Sequence, residues 1–97
     1  MAKNQDMLIE ILLDSNASLA ERDDAAIDLS NFDEDAVLFA LIEVGKNEQE
    51  DEVLLASCGE SIAEIILKRK IRSGDILQKL ATAAQNEAKA LIKAKLS

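Results

Sequence analysis

Residues 33–69 read DEDAVLFALIEVGKNEQEDEVLLASCGESIAEIILKR, and their pattern decides the fold. After the acids Asp33, Glu34 and Asp35, the run from Ala36 to Val44 is apolar except at Glu43, which predicts a helix buried on most sides. Gly45 suits the left-handed position just past a helix end, and Asn47 with Glu50 three residues on can cap the next helix. Val53, Leu54, Cys58, Ile62, Ile65 and Ile66 then recur at helical spacing and mark the inner face of the longest helix. Lys68, Arg69 and Lys70 close it, where positive charge complements the helix dipole.

Outward from this hairpin the same periodicity continues. Met7, Leu8, Ile11 and Leu12 predict a first helix over residues 5–14 that ends at Asp14-Ser15-Asn16. Ser18 stands three residues before Glu21 in capping-box order, and Leu19, Arg22, Ala26 and Leu29 carry a second helix down to Ser30. Asn31-Phe32-Asp33 is a short polar corner. Beyond the hairpin, Ser73 signals another start, followed by Ile76, Leu77, Leu80, Ala81 and Ala84. Gln85-Asn86 offers a break before Ala88, Leu91, Ile92 and Leu96, so residues 75–96 read as either one helix or two. The expected architecture is one all-α domain over residues 1–97, made of three helix pairs joined by short corners.

Composition agrees with this expectation. The chain is 48% apolar with Phe32 and Phe39 as its only aromatics, so the core must be Leu, Ile, Val and Ala, which suits helix-on-helix packing. With no proline and three glycines it lacks the turn chemistry that an all-β fold needs at each hairpin. No apolar run reaches the roughly 18–20 residues of a membrane span and the first residues do not open a signal sequence, so a cytoplasmic location is expected. Cys58, among Leu54, Leu55, Ile62 and Ala63, reads as a small buried apolar residue.

Much chemistry is excluded. The chain has no histidine, which removes His-dependent triads and imidazole zinc sites. Gly59-Glu60-Ser61-Ile62-Ala63 echoes a nucleophile elbow but lies inside a predicted helix with no preceding strand and no base. Asp14, Asn16 and Ser18 mimic the first ligands of a calcium loop, yet Leu19 stands where its glycine belongs and Ala25 where its closing glutamate belongs. Neither catalysis nor a cofactor or metal is expected.

Charge points to a partner instead. The net charge of −8 divides unevenly: residues 1–67 hold 17 acids and 3 bases, and residues 68–97 hold 2 acids and 8 bases. Such a field opposes nucleic acid over the first two-thirds and attracts a basic protein. The candidate partner-binding residues are Asp23 and Asp24, then Asp33, Glu34 and Asp35, then Glu48, Glu50, Asp51 and Glu52. Acids also belong at helix N-termini, where each contributes about 0.3–1 kcal/mol. Recurring near successive helix starts, the clusters are expected to align along one edge of a helical stack and sum their fields.

Residues 22–29 and 53–62 each place small residues mid-helix, and Ala25 and Ala56 stand 31 residues apart. Over residues 19–67 the chain resembles HEAT-repeat sequence. That resemblance implies a short right-handed stack of about three antiparallel helix pairs, whose exposed surface is read by proteins. In its acidity and size the chain is also similar to the immunity proteins that neutralise toxin domains delivered in bacterial competition, including contact-dependent growth inhibition. This likeness implies an antitoxin that binds a basic toxin domain, such as a nuclease, and masks its active site or substrate groove. The alternative is a HEAT-like adaptor or scaffold that docks its partner on a helical face. A third reading assigns Lys68, Arg69, Lys70 and Arg72 to RNA, although no aromatic residue stands beside them for stacking on bases.

Overall fold

In the computed structural model, which describes residues 4–96, the chain is all-helical and no strand occurs among the described residues. Six α-helices follow in order among the described residues: α1 (Gln5–Leu13), α2 (Leu19–Asp28), α3 (Asp35–Gly45), α4 (Glu52–Arg69), α5 (Gly74–Lys79) and α6 (Thr82–Leu96). A 3-10 turn, Leu29–Asn31, tightens the end of α2 short of the expected Ser30 boundary.

Local chemistry accounts for most boundaries. Asn4 caps α1 through a 2.8 Å bond from the Met7 N–H. The capping box at α2 forms as the sequence predicts, with the Glu21 N–H on the Ser18 hydroxyl at 3.1 Å. At α4 the cap differs from expectation: Asp51, not Asn47 with Glu50, accepts from the Val53 and Leu54 N–H groups. Asn47 accepts from the Gln49 N–H instead and shapes the preceding turn. Gly45 is likewise not left-handed, and the positive φ, 55°, falls on Lys70 at the end of α4. Gly45 is needed for space: a Cβ there would stand 3.3 Å from Leu80 Cδ2, and its carbonyl accepts from the Ala81 N–H at 2.8 Å. That contact breaks the C-terminal segment into two helices at Leu80, ahead of the expected Gln85-Asn86.

Cross-helix bonds set the directions of the helices. Arg22 reaches Glu50 just before α4, Ser61 Oγ donates to the Ala26 carbonyl at 2.6 Å, and Lys68 Nζ donates to the Ser30 carbonyl. Helix α2 therefore runs parallel to α4. Helix α6 does too, because the Thr82 N–H donates to Glu48 near the start of α4, Ala84 packs on Gly59, and Ile92 and Leu96 share a groove with Ile66 and Leu67. Helix α3 is antiparallel to α4, with Asp35 at its start 2.7 Å from Arg69 at the end of α4. Arg22 Nε donates to the Leu12 carbonyl at 3.1 Å, which joins the end of α1 to the start of α2.

Helix α4 touches α2 on one side and α6 on the other. Ser61 faces α2 and Gly59 faces α6; two residues apart, they lie about 200° apart round the helix. Helices α1 and α3 contact each other and lie against α2 and α4, and the least extent of the molecule, 19 Å, matches two helix layers. Leu8, Leu12, Leu29, Leu41, Leu54, Ile62 and Ile65 are fully buried between them, while Phe39 is 66% exposed and contributes nothing to the core. Val53, read from sequence as inward, is 59% exposed. The close approaches are made by Gly59, Ser61, Ala25 and Ala26, whereas Ala56 and Ser57 are only half-buried.

Candidate partner-binding surface

The nine candidate acids divide into those held by the fold and those left free. Glu50 is the most committed: Arg22 Nη1 and Nη2 reach its two oxygens at 3.1 and 3.0 Å. The pair is sheltered, at 11% and 19% exposure, and the hydrogen-bonded guanidinium holds the Glu50 carboxyl below its ordinary 4.5 against the opposing effect of burial. Asp51 caps α4, Glu48 accepts from the backbone of α6, and Asp35 pairs with Arg69. Asp24, Asp33, Glu34 and Glu52 are exposed and take no side-chain partner among the described residues. Asp23 is half-buried, with Oδ1 sheltered and without a donor.

The expected single acidic edge does not form. Asp33, Glu34 and Asp35 lie beside the C-terminal end of α4, whereas Glu48, Glu50, Asp51 and Glu52 lie at its N-terminal end. An 18-residue helix separates them by about 27 Å. The reason is direction: α3 is antiparallel to α2 and α4, so its first turn is at the opposite end from theirs. The N-termini of the parallel α2, α4 and α6 do share one end. There the carboxylates of Glu21, Asp51 and Glu48 serve as caps or backbone acceptors for the three helices in turn.

Sequence reasoning missed a third acidic feature. Between Glu52 and the basic end of α4, Val53, Ala56, Ser57, Glu60, Glu64 and Leu67 are the exposed and half-buried positions, and helical periodicity places them on one stripe. Glu60 and Glu64 have no side-chain partner among the described residues, and the first base on the stripe is Lys68, one turn past Glu64 and bonded to the Ser30 carbonyl. Their i, i+4 spacing was available in the sequence, but assigning Val53 to the inner face hid it.

The basic run serves the fold in part. Lys68 bonds the carbonyl of Ser30, Arg69 pairs with Asp35, and Lys70 takes the left-handed turn that ends α4. Ser61 of the elbow-like segment is buried and bonded to Ala26, and Cys58 is buried, its thiol pushed up to about 12 by burial. No group of three or more His, Cys, Asp or Glu side chains gathers in a metal-binding arrangement among the described residues, and no helix there is long and apolar enough to cross a membrane. Compared with known proteins, the chain matches no family model, no curated protein and no solved structure.

Proposed function

We propose that this chain is an immunity protein: it binds a basic toxin domain, of the nuclease kind, and masks the groove where that domain holds its substrate. The observation that carries the reading is the open stripe of α4. Glu60 and Glu64 present carboxylates there with no side-chain partner among the described residues, and Val53, two turns before Glu60 on the same stripe, is exposed at 59%. Acid and apolar surface side by side suit a cationic groove that normally accepts phosphates: the carboxylates replace the phosphates, and the apolar contact adds affinity that salt does not screen. Asp24, Glu52, Asp33 and Glu34 extend the negative field and steer the partner in. The parallel row of α2, α4 and α6 backed by α1 and α3 is the arrangement a short HEAT-like stack would contain, which supports the finer fold reading.

Capture from the source cell's lysate, with the tagged protein as bait at about 0.1 M and about 0.5 M salt, tests the reading. One basic protein, recovered strongly at low salt and weakly at high salt, is expected. With that partner in hand, E60Q/E64Q should slow association by about tenfold at low salt. A partner held equally at both salt concentrations and indifferent to E60Q/E64Q would overturn the immunity reading and favour the adaptor, docked through Val53 and Leu67.

A further inference from the structure

We propose that the chain associates with a second copy of itself head to tail, the acidic outer face of α2 in one copy docking along the basic outer face of α6 in the next. Helices α2 and α6 form the two edges of the parallel row, since Ser61 and Gly59 hold them on opposite sides of α4. The core takes Ala25 and Ala26 of α2 and Leu29 just past it, which leaves Ala20, Glu21, Asp24, Ile27 and Asp28 exposed on the outer face. Neither Asp24 nor Asp28 has a side-chain partner among the described residues. On α6, the core takes Ala84 and Ala88, leaving Asn86, Lys89, Ala90 and Lys93 exposed with Glu87 at the margin of the face, and among the described residues Lys89 Nζ donates to Gln85 Oε1 at 3.4 Å.

The two faces match in sign, spacing and direction. Asp24 and Asp28 are four residues apart, as are Lys89 and Lys93, so each pair spans about 6 Å along its helix. A copy displaced along the row sets its α2 parallel to α6, which brings Asp24 to Lys89 and Asp28 to Lys93. Ala90, one residue past Lys89, adds little bulk between the two pairs. The contact joins different surfaces of the two copies and leaves a free edge at each end, so it continues rather than closing into a dimer. A single helix face offers less than the roughly 800 Å² per partner of a stable interface, which makes the association weak and salt-sensitive.

Sedimentation equilibrium of the full chain tests this at about 1 mM protein, in about 0.02 M and about 0.5 M salt. At low salt the weight-average mass should rise with concentration to at least about twice the 10.5 kDa monomer, and at high salt it should stay monomeric. D24K/D28K alone and K89E/K93E alone should each remain monomeric, while an equimolar mixture of the two should associate as the native chain does. Restoration on mixing also shows that both variants are folded. A native chain that is monomeric throughout, a D24K/D28K variant that associates normally, or a mixture that stays monomeric overturns the proposal.

Discussion

At Gly59 a methyl group would stand 2.1 Å from the Ala84 carbonyl oxygen, and that oxygen belongs to backbone that cannot swing aside. G59A should therefore push α6 from α4 and lower stability by about 3 kcal/mol, measured by urea denaturation. Gly74 is the contrasting case, because nothing lies within 4 Å of its added Cβ and it begins α5 with negative φ. G74A should stabilise by about 0.5 kcal/mol through helix propensity and a less flexible unfolded chain. If both substitutions cost the same, the close α4–α6 contact is wrong. Sequence marks both positions as glycine; only the packing of α6 separates them.

Helices α1, α2 and α4 are tied together by one side chain. Arg22 donates to the last turn of α1 through Leu12 and to Glu50 ahead of α4. The Glu50 carboxyl is depressed below its ordinary 4.5, so its stabilisation is fully present above about pH 4.5 and is lost as pH falls through the lower folded value. E50Q should cost about 1.5 kcal/mol at neutral pH, and the gap from the native chain should close as acid protonates the native carboxylate. Parallel denaturation curves from pH 7 down to about pH 3 read this directly. A gap that is independent of pH would remove the ionised pair from the account. Sequence alone places Glu50 in an acidic cluster and gives no sign that Arg22, 28 residues away, is its partner.

Over the whole molecule, three ion pairs join side chains among the described residues, and 17 acids lie in the first 67 positions. Most of that negative charge repels itself. Raising sodium chloride from about 0.02 M to about 0.3 M should raise the midpoint of thermal unfolding by several degrees, because screening relieves repulsion more than it weakens three pairs. A midpoint that falls with salt would mean attraction dominates. The same excess charge is what a basic partner would neutralise, so screening and partner binding act on stability in the same direction.

The periodicity of apolar residues determined that the chain is all-helical, where α1 to α4 lie to within a few residues, and that Ser18 with Glu21 caps α2, because these depend on neighbours one turn apart. It also determined a Leu, Ile, Val and Ala core, since composition offers nothing else. The tertiary structure decided what depends on contacts distant in sequence. The stop at Leu80 comes from the backbone of Gly45, the outward turn of Val53 from where α2 and α6 flank α4, and the roles of Glu48 and Glu50 from Thr82 and Arg22. Above all, the direction of α3 decided that Asp33 to Asp35 and Glu48 to Glu52 stand at opposite ends. A linear sequence shows clusters near helix starts, but which way each helix points, and so which charges add, is settled only when the helices pack.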